Sequence, residues 1–291
     1  MDIDRFFIIA NRDKDKKQDF CRNICSFLEK HEKTCRVACS DEERMDIRKS
    51  LRSEGDCILA LGGDGTVLEA AHIAAGTDVP VLGINIGNMG YLAEIKSGSW
   101  EQSLLRVVEG DCYVEDRMML SGCITDGKSR MYPGAAGQAL NDIVITRSGA
   151  LRAIHYNVYI DGKFLNRFSA DGVILATATG STAYNMSAGG PIVEPTARLI
   201  LLTPICSHTL NNRSIVLSAN DRVTIEMILP QGREPVSAQC YFDGTASREL
   251  ISGDRVDINS SLEKTRLLRL SRKGFLETLH RKFTATTTFP S

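Results

Sequence analysis

No apolar run in the 291-residue sequence approaches the roughly 20 residues that a bilayer-crossing helix needs. An excess of charge is missing as well: 35 basic and 36 acidic side chains leave a formal net charge of −1. That balance removes the electrostatic case for nucleic acid or an anionic membrane as partner. The opening "MDIDRFFIIANRDKDKK" does not have the shape of a signal peptide, since its apolar stretch is short and preceded by acids. The expectation is a soluble, cytosolic protein with no membrane partner.

CxxC pairs are absent too, and the nine cysteines are an odd number, which argues against a disulfide framework and fits reduced thiols. Cys21, Cys25, Cys35 and Cys39, with His31 between them, are the one grouping whose spacing suggests a metal. Spacing of four puts Cys21 and Cys25 on one helical face, but Cys35 and Cys39 lie in the strand-like "TCRVACS". Small core residues are therefore expected, and no metal site. Without secretion the sequons at Asn185, Asn212 and Asn259 carry no meaning.

What the sequence does have is a change of grammar. Up to about residue 112, short apolar runs alternate with helical patterns. "RFFIIA" (5–10), "CRVAC" (35–39), "DCILALG" (56–62) and "VPVLGIN" (79–85) read as strands. Helices are expected around Phe20 to Leu28, over 41–53, and over 66–75 with Thr66 as N-cap. Such alternation, with near-continuous apolar strands, indicates an open, Rossmann-like parallel sheet covered on both faces. Beyond it, Asp161-Gly162 and Asp126-Gly127 sit between alternating runs as hairpin turns, and short strands continue to about 270. The expected organisation is an α/β domain over 1–115 and an all-β domain over 116–271. A helix within 272–291 is expected to pack back on the first domain.

One motif is a decoy. "GCITDGKS" (122–129) fits the nucleotide-binding pattern G-x4-G-K-S, but "RMYPGAAG" follows it, where no helix can start. The loop Gly62-Gly63-Asp64-Gly65-Thr66 has the required context, between a buried strand and a helix. It would lie at the carboxyl edge of the sheet, where open α/β sheets bind ligands. Glycines there let a phosphate chain approach the backbone. A carboxylate at the tip repels phosphate, so Asp64 is better read as the acceptor of a proton from an attacking hydroxyl. Further on, "SADGVILATATGSTAYNMSAGGPIVEP" (169–195) is dense in small hydroxyl side chains, including Thr179, Ser181, Thr182, Tyr184 and Ser187. That surface suits ribose hydroxyls, amides and a pyrophosphate, with a short helix starting near Thr182. Asn141 and Asp142, at the entry of a strand, can together read vicinal hydroxyls.

These stretches together resemble the NAD kinase family. The matching pieces are "GGDGT" (62–66), "GINIGNMGYL" (83–92), "LND" (140–142), "DGVILATATGSTAYNMSAGGPI" (171–192) and "LTPICSHTLNNRSIVL" (202–217), in collinear order over most of the chain. Gly-Gly-Asp-Gly-Thr alone is also found in diacylglycerol and sphingosine kinases. The resemblance implies two domains with NAD bound between them and a homotetramer or homodimer. It implies transfer of the ATP γ-phosphoryl group to the 2′-hydroxyl of NAD's adenosine ribose, with Asp64 as general base. Gly62, Gly63, Gly65 and Thr66 match the ATP-phosphate loop, and Mg²⁺ is expected to ride on the ATP phosphates. The positions matching NAD contacts are Asp64, Gly65, Asn141, Asp142, Arg152, Ser169, Asp171, Thr179, Thr182, Ala183, Tyr184, Ser187 and Thr245. The chain departs from the family in having Asp142 where Glu is usual, and Ala178, Ser207 and Ser214 where prolines are common. A lipid kinase and a non-catalytic NAD-binding regulator are the rival readings.

Overall fold

The computed structural model describes residues 2–11, 19–38, 40–87, 90–149, 152–208, 213–228, 237–271 and 275–287. Cys39, Asn88, Met89 and Asn212 lie outside them. The chain divides into two compact units, Met1–Asp116 with Lys264–Ser291, and Arg117–Glu263.

The first unit begins β1 (Ile3–Ala10), α1 (Asp19–Lys30), β2 (Thr34–Ala38), α2 (Asp41–Ser50), β3 (Gly55–Gly62), α3 (Asp64–Ala74), β4 (Val81–Asn85), β5 (Ile95–Lys96) and α4 (Trp100–Val108). β1 lies between β2 and β3, and β4 follows β3, all in parallel register. Leu267, in a C-terminal strand, pairs in parallel with Val81 on the far side of β4. The order is thus 2-1-3-4 plus the returning strand, a doubly wound sheet whose strand order reverses between β1 and β3.

Alternate residues explain how the sheet is covered. Phe6, Ile8, Leu59, Leu61, Leu82 and Ile84 form one buried cluster with Cys21, Ile24 and Leu28 of α1 and Leu104 and Val107 of α4. The rings of Phe20 and Phe27 meet Trp100 edge-on, with centroids 5.7 and 5.5 Å away. Cys21, Cys25 and Cys35 belong to this apolar layer or pack against it. The opposite face packs on α3, which buries Val67, Ala70, Ala71 and Ala74. α2 starts with a reciprocal cap, in which Ser40 Oγ accepts from the Glu43 N–H (3.2 Å) and Glu43 accepts from the Ser40 N–H (3.0 Å).

The second unit is built from strands: β6 (Tyr113–Thr125), β7 (Met131–Ala139), β8 (Asp142–Ser148), β9 (Ile154–Ile160), β10 (Lys163–Ala170), β11 (Gly172–Ala176), then the short α5 (Tyr184–Ser187). β12 (Leu199–Ile205), β13 (Ile215–Ser218), β14 (Val223–Met227), β15 (Ser237–Phe242), β16 (Thr245–Leu250) and β17 (Arg255–Arg269) complete it, and α6 (Phe275–Thr287) returns to the first unit. The unit boundaries fall inside β6 and β17. Six strands run antiparallel in the order β13-β12-β11-β8-β15-β16. A second antiparallel set runs β10-β9-β14-β17. Inward residues of both sets form one core, including Ile143, Ile145, Tyr156, Val158, Phe168, Val173, Leu175, Ile225 and Ile258. Tyr156 stacks on Phe168 with centroids 5.5 Å apart.

The turns follow the sequence. Asp161 and Gly162 both take positive φ (50° and 76°), the two-residue turn that joins β9 to β10. The decoy at 122–129 is a hairpin: Thr125 pairs with Met131, and Asp126 Oδ1 accepts from the Lys128 and Arg130 N–H groups.

Asp56 brings a buried charge into the first unit. Asp56, fully buried, accepts from Arg5 Nε (2.6 Å), Arg5 Nη2 (2.6 Å) and the Arg52 N–H (2.6 Å). This ties the start of β3 to β1. Asp56→Ala removes the acceptor of Arg5 Nε and the Arg52 N–H and leaves Arg5 Nη2 only the Ser50 carbonyl (3.2 Å), and is expected to cost about 2–4 kcal/mol, read as a lower denaturant midpoint.

Candidate active site

β3 runs apolar to Gly62, and the chain turns at Gly63, whose extended backbone (φ −116°, ψ −165°) caps α3. The helix therefore begins at Asp64, two residues before the start read from the sequence, and Thr66 lies inside its first turn rather than capping it. Gly63 O accepts from the Thr66 and Val67 N–H groups (3.0 and 3.2 Å). Asp64 thus stands at the positive end of a helix, where an anion is favoured. An open cleft of about 510 Å³ lies there, bounded by Asn11, Gly63, Asp64, Gly65, Thr66, Glu69 and Gly90. Asn11 follows β1 and donates its N–H to Leu61 O of β3 (2.9 Å), so the cleft sits at the reversal in strand order.

The Asp64 carboxylate is held from the opposite side. Its Oδ2 accepts from the Tyr91 N–H (2.7 Å) and its Oδ1 from the Leu92 N–H (3.1 Å). Backbone and carboxylate come so close at Gly90 that a Cβ there would overlap Asp64. Burial and the charge of Asp64 push the Tyr91 hydroxyl pKa up. The Lys282 ammonium of α6 lies over the Tyr91 ring, 3.4 Å from its centre. Glu69, one turn into α3, pairs with Arg44 at 2.6 Å. Among the described residues, the charged side chains lining the cleft are both carboxylates.

In the second unit, three neighbouring strands end together. Asp142 opens β8 opposite Ala176, the last residue of β11, and Ile143 pairs with Phe242, the last residue of β15. Asp243, in the next turn, accepts from three consecutive backbone N–H groups: Leu140 (2.7 Å), Asn141 (2.8 Å) and Asp142 (3.0 Å). On the other side Thr177 Oγ1 donates to Leu140 O (2.6 Å) and accepts from the Gly180 N–H (3.0 Å). Gly180 packs against the Asn141 carbonyl with no room for a Cβ. The Asn141-Asp142 pair is thereby fixed between two loops.

The hydroxyl-rich segment is more buried than its composition suggests. Thr179 to Thr182 form a 3-10 turn before α5. Ser181, expected to face a ligand, is fully buried and spends its hydroxyl on the backbone of Val193 (3.3 and 3.1 Å). The Thr182 hydroxyl donates to Thr179 O (3.4 Å). Thr179 Oγ1 accepts from the buried Arg117 (3.2 Å). Ala183 is half-buried, whereas Tyr184, Ser187 and Thr245 are exposed. Thr245 starts β16 opposite Phe242, at this same end of the sheet.

Arg152, Ser169 and Asp171 are elsewhere. Asp171 precedes β11 and accepts from Arg147 Nε (3.0 Å). Ser169, on β10, accepts at its carbonyl from the His208 N–H (2.8 Å), and Arg152 is exposed just before β9. Asp171 and Thr177 are separated by the length of β11, about 20 Å at ~3.3 Å per residue. Sequence reasoning missed Asn11, Glu69, Thr177 and Asp243. For Asp243 the one local signal is the Asp-Gly turn in "YFDGTAS", which gives no hint of its three distant donors.

Burial first, and Asp243 second, push the Asp142 carboxyl up to about 7. An unfolded Asp titrates near ~4, so the folded chain holds the extra proton between about pH 4 and 7 and loses stability as pH rises through that window. Asp142→Asn is expected to flatten Tm against pH there. Superimposable Tm profiles for the two proteins would contradict the raised carboxyl.

Residues 10–112 match the ATP-NAD kinase N-terminal domain and residues 140–270 the ATP-NAD kinase C-terminal domain. The NAD kinase of Lachnospira eligens is 41% identical over 294 residues, covering 95% of this chain and 99% of that protein. That of Lachnoclostridium phytofermentans is 39% identical, with 96% and 98% covered. Among solved structures, yeast NADH kinase complexed with NADH aligns with a TM-score of 0.83 at 23% identity, over 99% of this chain and 90% of that one. An NAD kinase from Archaeoglobus fulgidus in complex with ATP aligns with a TM-score of 0.74 at 23% identity, over 96% and 98%. Those two likenesses speak to the fold, while the closer relatives and both domain matches establish that the chain belongs to the NAD kinase family.

Proposed function

We propose that this chain phosphorylates the 2′-hydroxyl of the adenosine ribose of NAD at the expense of ATP, giving NADP and ADP. The observation that carries the reading is the Asp64 carboxylate, held at the rim of the strand-reversal cleft by the Tyr91 and Leu92 N–H groups. Each carboxylate oxygen accepts one of these bonds and keeps a lone pair for an incoming hydroxyl. The ribose oxygen attacks the γ-phosphorus, the bond from that phosphorus to the β-γ bridging oxygen breaks, and the hydroxyl proton passes to Asp64. The Gly62-Gly63 and Gly65 backbone, with the first turn of α3, receives the phosphates.

Asp64 and Glu69 give the cleft wall negative charge, so a triphosphate requires counter-cations to enter it. Asp64, Glu69 (also paired with Arg44) and Asn11 give the cleft wall the oxygen chemistry a hard divalent cation takes, and Mg²⁺ carried by the phosphates and water would supply the counter-charge. Asn141 and Asp142 are assigned to NAD hydroxyls, with Thr179 to Ser187 and Thr245 around them. Arg152, Ser169 and Asp171 keep the NAD-contact role that the family suggests. A homotetramer or homodimer is part of the proposal, and sedimentation measures it.

Asp64→Asn is expected to lower kcat by about 10²–10⁴-fold with little change in KM for NAD. Turnover near that of the unaltered protein would remove Asp64 as base. Chelation with EDTA is expected to abolish turnover, and excess Mg²⁺ to restore it. Supplying Mg-ATP with NAD or with diacylglycerol tests the lipid-kinase rival directly, since only NAD is expected to gain phosphate. Tight NAD binding without ATP turnover would instead favour a regulator.

A further inference from the structure

The loop that holds Asp64 is itself held from a distant part of the chain. Arg269, at the end of β17 and 8% exposed, donates from Nη1 to Leu92 O (3.1 Å) and to Glu94 Oε2 (3.1 Å). Its Nε donates to Glu115 Oε1 (3.0 Å). The second oxygen of Glu94 accepts from the Leu270 N–H (3.0 Å) and the Ser271 N–H (3.2 Å), and the Glu94 N–H bonds to Gly83 O (3.0 Å). Leu92 thus faces two ways: its N–H binds the Asp64 carboxylate and its carbonyl binds Arg269.

We propose that Arg269, with Glu94, is a positioning residue for Asp64, acting through the Leu92 peptide. This rests on the reading of Asp64 as the proton acceptor. A guanidinium suits the role because its planar fork serves Leu92 O, Glu94 and Glu115 together, whereas an ammonium is a single point of charge. The group is too buried to meet substrate, and it acts by fixing where the peptide donors to Asp64 stand. Displacing a reacting group by about 1 Å is enough to cost ~100-fold in rate.

The test is steady-state kinetics of the full-length Arg269→Lys and Glu94→Gln variants, in the unaltered protein and in an Asp64→Asn background. Each single variant is expected to lower kcat by about 10–100-fold, with KM for NAD and for ATP within about twofold and a cooperative thermal transition retained. In the Asp64→Asn background the same changes are expected to have almost no further effect on kcat, because the group they position is already gone. Full multiplication of the two losses would mean that Arg269 supports the fold rather than Asp64, and would overturn the inference. Unchanged kcat in both folded single variants would overturn it too. Should Arg269→Lys not fold, Glu94→Gln carries the same comparison. Failure of the Asp64 reading is a separate result, visible as full turnover in Asp64→Asn alone.

Discussion

A carboxylate gripped by consecutive backbone N–H groups is the device on which both candidate sites depend. Asp64 takes the amides of Tyr91 and Leu92, and Asp243 takes those of Leu140, Asn141 and Asp142. Such charge-assisted bonds are short and directional, so they fix a loop without a large apolar patch to pack it. Their uses differ. Asp64 belongs to the proposed chemistry and is held by its loop. Asp243 holds the loop that presents Asn141 and Asp142, and its charge helps keep the Asp142 proton on.

The fold explains where the cleft lies. Because β1 is flanked by β2 on one side and β3 on the other, the connections leaving β1 and β3 diverge and leave a gap at their carboxyl ends. Asn11 and the Gly63–Thr66 turn occupy its two sides. The antiparallel unit achieves a comparable result by ending β11, opening β8 and ending β15 at one edge.

Much of this was legible in the sequence, because the signals were local. Buried strands such as "DCILALG" and the Asp161-Gly162 turn depend on neighbours within a few residues. The start of α3 was misread because Thr is a better side-chain cap than Gly, yet an extended Gly63 can serve while the helix dipole accommodates Asp64 at the first position. Ser181 read as a ligand-facing hydroxyl, but its partner Val193 satisfies it internally. Asp243 and Arg269 were invisible for a deeper reason: their partners lie about a hundred or more positions away, and nothing in the adjacent residues encodes that meeting.

The interruption of the first unit by the second has a consequence for assembly. Ribosomes release β1 to β4 well before Lys264 to Ser271, since the whole antiparallel unit is translated in between. Leu92 and Glu94 are therefore translated long before the guanidinium that binds them. In the folded chain, bonds that hold the Leu92 carbonyl and the Glu94 carboxylate come from Arg269, Leu270 and Ser271, residues translated after the second unit.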